Sequence, residues 1–332
     1  MTRWLTRDDL GAAGRTATGL LAISPDASSV VPVGTDHTAD ALTKAGVGER
    51  DRVVVALAEP AGALWARAAA DVAQAAASVG PRGRLRLHHA LTTVKATTLV
   101  ATPTGAMDFL ARLHLEFLLD PLDLGLRHLV LTGEIATKRT MSHLANEFEA
   151  KVTEVYADPF TGAALAWHAK EDDPLTSTQT LRLAAIQKDE FLEGGRGELV
   201  IVRDDAVLRT GQVSTDLHAP RHTVGDHVLV RGVWLSLPRI EKALSKIDGV
   251  SGWELTLSRQ GTLDAAVLTV TFSRESLVRN PMWKARIGQA LQGLTPITVG
   301  VEVAQEVSET PRPGVVNDLR GHHLGRDRAL IE

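Results

Sequence analysis

Histidines at short spacings are the first residues in the chain whose types suggest chemistry, because imidazole is the commonest metal ligand in proteins. His218 and His222 are about one helical turn apart with Asp216 nearby, so they could share a divalent ion if the segment were helical. Pro220 lies between them and argues against a helix. The adjacent pairs at 88–89 and 322–323 point apart on any regular element and lack a third ligand. The sequence therefore predicts no metal site.

Nucleophilic chemistry is restricted by composition. The chain has no cysteine, which excludes a thiolate nucleophile, a disulfide frame and a thiolate zinc site. It also has no Gly-x-Ser-x-Gly elbow and no Ser-His-Asp order, so hydrolase chemistry has no support. Covalent chemistry would need Ser, Thr, Lys or a carboxylate.

The elements that would position functional groups are predicted from hydrophobic patterns. Buried strands are expected at RVVVAL, TTLVAT, LRHLVLTG and KVTEVYA, and helices are expected over 61–78, 104–119 and 136–148. Strands that alternate with helices predict a mostly parallel sheet with covering helices. After Gly162, the strings GGRGELVIV and AVLRTGQV predict an antiparallel extension.

From Gly225 the pattern changes to β-α-β-β-α-β, which is typical of a small ferredoxin-like α+β domain. A length of 332 residues also exceeds the roughly 250 to 300 residues at which single cores stop growing. We therefore predict an α/β protein with a large N-terminal domain over 1–222, a C-terminal domain over 223–308 and a loosely held polar tail over 309–332.

Charge and hydropathy limit the partners. The net charge is −4, so no overall field favours nucleic acid or an anionic membrane. No run approaches the roughly 18 to 20 apolar residues of a membrane helix, and the start MTRWLTRDDL has acids where a signal peptide is apolar. We expect a cytoplasmic protein.

Six strings, taken in order, resemble the phenylacetate-coenzyme A ligase family of adenylate-forming enzymes. They are TTLVATPTGAMDFLARL, LRHLVLTGEIATKRTMSHLANEFEAKVTEVYA, GGRGELVIV, VLRTGQ, DHVLVRGVWLSLPRIEKAL and SRQGTLDAAVLTV. The resemblance covers most of the chain and implies the same two-domain architecture. Such enzymes join a carboxylate to the AMP of ATP and then transfer the acyl group to coenzyme A. The chain looks shortened at its N-terminus relative to family members.

The resemblance places the phosphate loop at GRTATGLLAI. Thr16, Thr18 and Gly19 are the groups that would contact phosphate oxygens there. The family's density of Ser, Thr and Gly is reduced, and the basic residue, Arg15, precedes the threonines. A plain turn into a strand is the alternative interpretation.

Further pocket residues follow the second long string. Thr132, Gly133 and Glu134 resemble the family's Gly-Ala-Glu turn, which lines the acyl and adenine pocket, although any β-to-α turn also favours glycine. Tyr156, the only tyrosine in the chain, falls on the adenine position of the next motif.

The same motif normally ends in a Glu that faces Mg²⁺. Phe160 occupies that position, and a phenyl ring cannot coordinate a hard cation. Asp158 could substitute from two residues away, but Asp-Pro also simply makes a turn.

The string VLRTGQ resembles the family's Arg-Thr-Gly-Asp, whose Asp binds both ribose hydroxyls. Arg209 is retained, but Gln212 replaces the Asp and can make only neutral hydrogen bonds. The resemblance then implies a hinge at Asp226, followed by Arg231 in the next Arg-Gly-Val. An inter-domain turn is the alternative interpretation of Asp226.

The family carries a C-terminal lysine that reaches the phosphate and the carboxylate during adenylation. Here Lys284 is the last lysine, and it lies on a predicted helix. Arg312 and Arg320 are present in the tail, but a guanidinium fork does not replace an ammonium point charge.

These departures predict a degenerate ligase-like protein that has lost efficient adenylation and acts in ligand binding or as an accessory to another protein. The alternative is an active, divergent acyl- or aryl-CoA ligase, or an acyl-transfer enzyme, with Arg15 and Arg312 as its cations. ATP or AMP, Mg²⁺ and coenzyme A are its expected cofactors if it is active, and a small carboxylate or CoA-type molecule is its expected ligand. The resemblance also implies a homodimer.

Overall fold

A computed structural model describes residues 3–19, 21–24, 30–32, 37–134, 136–168, 173–177, 180–203, 206–260, 263–320 and 325–326. The chain folds as two units. The first comprises Met1–Ser24 and Ser29–Pro220, and the second comprises Pro25–Ser28 and Arg221–Glu332.

The elements of the first unit alternate over most of its length. Its helices are α1 (Arg7–Ala13), α2 (Thr38–Ala45), α3 (Ala61–Val72), α4 (Arg84–Val94), α5 (Pro103–Arg112) and α6 (Lys138–Phe148), with a π-helical turn at Leu113–Phe117 and a 3-10 turn at Pro121–Leu124. Its strands are β1 (Arg3–Leu5), β2 (Leu21–Ile23), β3 (Val30–Pro32), β4 (Arg52–Ala56), β5 (Ala75–Ser78), β6 (Thr98–Ala101), β7 (His128–Thr132), β8 (Lys151–Ala157), β9 (Ala164–His168), β10 (Thr176–Ser177), β11 (Leu181–Ala184), β12 (Phe191–Leu192), β13 (Arg196–Arg203) and β14 (Ala206–Thr215).

One sheet of this unit has the order β10-β9-β8-β7-β6-β4-β5. Strands β5, β4, β6, β7 and β8 run parallel, and β9 and β10 extend the sheet in antiparallel pairing. Helices α4, α5 and α6 pack on one face and α2 and α3 on the other. Burial on both faces explains why these strands are almost continuously apolar. The predicted mostly parallel sheet is confirmed. The strings GGRGELVIV and AVLRTGQV, which were expected to extend it, instead contribute β13 and β14 to a separate antiparallel sheet.

The Ala-rich segment differs from the helix predicted over 61–78. Helix α3 ends at Val72, and Ala75–Ser78 form β5, which pairs in parallel with β4. Helix propensities differ by less than about 1 kcal/mol per ordinary residue, so they are a weak preference. Pairing along the open edge of β4 decides the conformation instead.

A second sheet of the first unit contains β12, β11, β13 and β14 in that order, all antiparallel, with β1 added in parallel to β14. Its inner face packs on an apolar cluster that includes Tyr156 and Phe160. Strand β14 bulges where residues 210–212 face the single residue Leu199.

The second unit is α+β. Its helices are α7 (Leu237–Leu244), α8 (Glu275–Val278) and α9 (Met282–Gln292), and its strands are β15 (His222–Thr223), β16 (His227–Val230), β17 (Val233–Ser236), β18 (Val250–Gln260), β19 (Leu263–Phe272), β20 (Gly300–Val307), β21 (Val315–Asp318) and β22 (Gly325–Arg326). Strands β20, β19, β18 and β21 form a mixed sheet in that order, and α7 and α9 pack into its core.

The strand arrangement of this unit differs from the predicted ferredoxin-like order. The segment DHVLVRGVWL is a separate hairpin of β16 and β17 rather than the first strand of the sheet. Arg231 and Gly232 have φ of 52° and 74°, which gives the two-residue turn that folds a hairpin back on itself. In its place, β21 supplies the fourth strand and pairs in parallel with β18.

The start of the predicted polar tail is therefore held in place. The side chain of Arg320 is completely buried and forms ion pairs with Asp318 at 2.8 Å and with Asp264 at 2.6 Å. It also donates a hydrogen bond to the Leu229 carbonyl at 2.6 Å. A buried guanidinium needs such partners, because leaving its charge unpaired would cost several kcal/mol.

Gly314 fixes the approach to β21. A Cβ atom at this position would overlap the indole of Trp253, so only glycine fits. The Trp253 ring is buried in the core of the second unit, and its Nε1 donates a hydrogen bond to Glu241. Among the helices in the described ranges, none is long and apolar enough to span a bilayer.

Candidate functional site

Three neighbouring parallel strands, β6, β7 and β8, end side by side and are followed by Thr102, Gly133 and Asp158. We call these three strand ends the carboxyl edge. Ligands of open α/β sheets bind outside this edge. Gly133 has φ of 81°, and a Cβ atom at this position would lie 3.5 Å from Thr102 Cγ2. The predicted residues Thr132 to Glu134 and Tyr156 to Asp158 are thus brought to one edge of the sheet.

The turn after β7 is anchored on the helix that follows β6. Glu134 Oε2 accepts hydrogen bonds from the Thr104 backbone N–H at 3.1 Å and from the Thr104 hydroxyl. A carboxylate is favoured there because the first turn of a helix carries a partial positive charge. Thr132 is 1% exposed, and its hydroxyl has no hydrogen-bond partner among the described groups.

Tyr156 and Gln212, predicted at the adenine and ribose positions, contact each other. The Tyr156 hydroxyl donates a hydrogen bond to Gln212 Oε1, and both residues are buried. Burial raises the pKa of the Tyr156 phenol far above its ordinary value, so the group stays protonated and remains a donor. The amide oxygen of Gln212 is thereby already engaged.

The bulge in β14 aims Gln212 toward Tyr156. The Thr210 hydroxyl donates to the Leu199 carbonyl at 2.7 Å, and it accepts from the Gln212 backbone N–H at 3.1 Å. Gly211 N–H donates to Glu198 Oε1 at 3.0 Å. Bulges redirect side chains next to functional sites, and this one brings the Gln212 side chain to the hydroxyl of Tyr156, a member of the apolar cluster.

The residues at the metal position do not fit Mg²⁺. Asp158 Oδ1 accepts from the Phe160 N–H at 2.7 Å and the Thr161 N–H at 3.3 Å, while Oδ2 forms an ion pair with Arg203 at 3.2 Å. Phe160 is buried, and the Arg7 guanidinium lies 4.7 Å from its ring centroid. Magnesium requires several oxygen ligands, and Asp158, the carboxylate that could substitute for the missing Glu, already neutralises a cation and closes a turn.

Arg209 belongs to an ionic cluster in the second sheet of the first unit. Its guanidinium pairs with Glu198 and with Asp189, the latter at 3.0 Å, and lies 4.9 Å from the Trp4 ring centroid. Burial raises the pKa of Glu198, and the nearby Arg209 charge opposes that rise. These contacts give Arg209 a structural role in addition to any role with a ligand.

The segment predicted as a phosphate loop is a turn after α1. Thr16, Thr18 and Gly19 are all exposed, and Gly19 has φ of 86° with open space around the position of its absent side chain. Strand β2 begins two residues later at Leu21. This placement agrees with a turn into a strand and leaves the threonine side chains at the surface.

The two hinge residues lie in turns of the second unit. Asp226 is exposed and follows Gly225, whose φ is 82°, and its carbonyl accepts from the Leu237 N–H at 2.9 Å. Arg231 lies in the turn between β16 and β17, and its Nε donates to the Asp264 carbonyl at 2.5 Å. The backbone of this region therefore consists of turns with left-handed residues.

The basic residues considered as cations for phosphate chemistry differ in their exposure to solvent. Arg15, Lys284 and Arg312 are exposed. Arg320 is fully buried in the ion pairs described above. Within the described part of the chain, no group of three or more His, Asp or Glu side chains is arranged to hold a metal ion.

The histidine motifs have simple environments where the structure describes them. His88 lies on α4 with its ring 5.9 Å from Phe117, and His218 lies in a turn with its Nδ1 2.8 Å from the Thr215 carbonyl. The pair at 322–323 lies outside the described residues.

Sequence reasoning missed a buried pair beside the site. Glu154 in β8 lies opposite His168 in β9, with Oε2 2.6 Å from Nε2. The available signal was an acid inside a strand pattern, two residues before Tyr156, because residues at this spacing share one face of a strand.

Comparisons with known proteins give the fold. No protein-family model matches the chain, and a search of curated proteins gives no match. Among solved structures, 2-hydroxyisobutyryl-CoA ligase with 2-HIB-AMP and CoA bound is similar with a TM-score of 0.75 and 17% identity, over 95% of this chain and 80% of the ligase.

Two further structures agree. The amide bond synthetase McbA from Marinactinospora thermotolerans has a TM-score of 0.64 and 16% identity, over 87% of this chain and 65% of the synthetase. Malonyl-CoA ligase with methylmalonyl-CoA and AMP bound has a TM-score of 0.58 and 17% identity, over 82% of this chain and 66% of the ligase. The chain therefore shares the fold of these CoA ligases and of the amide bond synthetase, in agreement with the fold that the resemblance implied.

Proposed function

We propose that this chain is a ligase-fold protein that binds an acyl, aryl or nucleotide ligand at the carboxyl edge and does not perform efficient ATP-dependent adenylation. It would then act as a ligand-binding or accessory protein. The observation that carries the proposal is the pairing of Tyr156 with Gln212. A neutral amide whose oxygen is already engaged is a weaker partner for ribose hydroxyls than a free carboxylate.

The electrostatics of phosphate chemistry support the same proposal. Adenylyl transfer relies on cations that neutralise developing charge. At the metal position, Phe160 offers no ligand and Asp158 is paired with Arg203. Loss of one such charge commonly costs about 10²- to 10⁴-fold in rate.

Calorimetry on the full chain tests the proposal. ATP with Mg²⁺, AMP and coenzyme A are titrated separately up to millimolar concentration, and ATP–pyrophosphate exchange is measured with a panel of small carboxylic acids. We expect weak or absent ATP binding without Mg²⁺ dependence, and no exchange above background. Micromolar ATP binding with exchange at ordinary enzyme rates would contradict the proposal.

The second candidate is an active, divergent acyl-CoA ligase or acyl-transfer enzyme. It is favoured by the likeness to 2-hydroxyisobutyryl-CoA ligase over 95% of the chain, which includes the second unit. It predicts nucleotide or CoA binding near Tyr156 and Gly133 and loss of activity in Arg209→Ala. Because Arg209 also pairs with Glu198, Arg209→Lys with a stability measurement is the necessary control.

A further inference from the structure

A buried acid–base pair lies beside the carboxyl edge, and the proposed function uses neither of its residues. Glu154 and His168 face each other across β8 and β9, and their side chains are 5% and 0% exposed. Glu154 Oε2 and His168 Nε2 are 2.6 Å apart. Such a short bond in a dry environment holds both side chains in one arrangement.

The second oxygen of Glu154 reaches the turn after β7. Oε1 accepts a hydrogen bond from the Ala136 backbone N–H at 2.7 Å. Ala136 belongs to the β7–α6 connection, whose described residues are Gly133, Glu134, Ala136 and Thr137. Glu134, at the other end of the connection, is bonded to Thr104 on α5. Two carboxyl groups therefore attach this connection to β8 and to α5.

Stability alone is a poor reason for this arrangement. A buried ion pair is often no better for stability than well-packed apolar side chains of the same volume. An apolar pair could fill the same space, but it could not accept the Ala136 N–H. What Glu154 adds is a fixed position for a backbone segment at the carboxyl edge, two residues before Tyr156 on the same face of β8.

We infer that Glu154 and His168 are positioning residues that hold the β7–α6 connection in place as one wall of the ligand site. His168 orients the Glu154 carboxyl group, and Glu154 fixes the Ala136 amide. The inference rests on the proposed function only in placing the ligand at the carboxyl edge.

The chain offers a matched control. His128 in β7 is also buried, and its Nε2 lies 3.0 Å from the Thr153 hydroxyl of β8. This pair joins the same sheet at the opposite, amino ends of the strands. Glu154→Met removes both acceptors at similar side-chain length, and His128→Met removes the control bond. Glu154→Gln keeps an oxygen for Ala136 and can donate to His168 in its other tautomer, so it serves as the conservative variant.

The test combines amide hydrogen exchange with AMP calorimetry at pH 7.5 on the full chain. In Glu154→Met, the Glu134 and Ala136 amides should exchange roughly ten-fold or more faster relative to the amides of β7. AMP affinity should fall about ten-fold or more. Glu154→Gln should restore most of the amide protection and most of the AMP affinity. His128→Met should lower the melting temperature without changing the exchange of the connection or the AMP affinity.

A purely structural pair would behave differently. Equal acceleration in Glu154→Met and His128→Met, or unchanged exchange of the connection in Glu154→Met, would overturn the inference. If Glu154→Met does not fold, His168→Gln replaces it. The exchange rate of the Glu134 and Ala136 amides relative to the amides of β7 then decides whether the pair positions the connection. If the wild-type chain does not bind AMP, the proposed site fails there, while the exchange measurement still decides whether the pair positions the connection.

Discussion

At residue scale, the Tyr156 hydroxyl donates a hydrogen bond to Gln212 Oε1. These are the residues that the resemblance places at the adenine and ribose positions of a nucleotide site. Tyr156 and Gln212 come from different sheets of the first unit, and the β14 bulge is what brings them together. An apolar side chain at position 156 would remove the donor to Gln212 Oε1, and one at position 212 would remove the acceptor of the Tyr156 hydroxyl, although both groups are buried. The pair thus specifies the local structure as well as limiting the ribose contact.

Tyr156→Phe tests that coupling. It removes the donor to Gln212 Oε1, and a buried acceptor that loses its partner should lower the free energy of unfolding by about 1–3 kcal/mol. Gln212→Leu should cost a similar amount, and the double variant should cost less than the sum, with a coupling of about 1 kcal/mol by urea denaturation. Additive single effects would show that the hydrogen bond contributes nothing.

His128 makes the free energy of unfolding depend on pH. Burial lowers the pKa of His128 to about 4, from an ordinary value of 6.5 in the unfolded chain. The folded state favours the neutral ring, so the stabilisation that His128 gives to the fold is complete above pH 6.5. As the pH falls toward 4, this stabilisation is lost, and the free energy of unfolding falls by at most about 3 kcal/mol. His128→Gln cannot titrate. Urea denaturation from pH 7.5 to 4 should therefore show a steeper loss for the wild type, whereas parallel curves would contradict the assignment.

At the scale of elements, the sequence predicted the parallel sheet well because its strands carry their signal locally. RVVVAL, TTLVAT and the strands that follow are continuously apolar and are separated by clear helix patterns. Strand β5 was missed because an Ala-rich segment has no strand pattern, and its conformation depends on the open edge of β4. Strand β21 was missed for the same reason, since VVND becomes a strand only through pairing with β18.

The candidate site was predictable only in part. The positions of Thr132, Gly133 and Tyr156 follow from strand ends, which the pattern marks. The engagement of Asp158 with Arg203, and of Glu154 with His168, joins residues 45 and 14 positions apart, and no local pattern encodes such pairing. Distant contacts of this kind decide whether a polar residue is free for a ligand.

The docked start of the tail gives an element-scale prediction. Arg320→Met leaves Asp264 and Asp318 without their buried cation, so the second unit should lose about 3–5 kcal/mol of stability. Arg312→Met, a change at an exposed position in the same segment, should alter stability by less than about 0.5 kcal/mol. Thermal denaturation and limited proteolysis compare the two, and equal stability of both variants would show that the buried ion pairs are not needed.

At the scale of the whole molecule, the chain shares its fold with solved CoA ligases and an amide bond synthetase, and the resemblance implies that several side chains of the resembled family's chemistry are replaced. Fold does not determine function, because function depends on the groups placed on the fold. The likeness to solved ligases at 16–17% identity therefore leaves the reaction to be decided by the carboxyl edge.

The resemblance also implies assembly, and we expect a homodimer. Light scattering after size-exclusion chromatography should give a mass near twice 35.6 kDa, independent of salt between about 0.1 and 0.5 M if the contact is mainly apolar. A mass of one chain at all concentrations would exclude the dimer.

The contact between Gly314 and Trp253 gives the second unit an intrinsic fluorescent probe of its C-terminal segment. The indole is covered by the segment that leads into β21, and its N–H is bonded to Glu241. Release of that segment would expose the ring to water and shift its fluorescence emission to longer wavelength. In a variant in which the other tryptophans are replaced by phenylalanine, Trp253 emission would follow docking of the C-terminal segment in real time, without an added label.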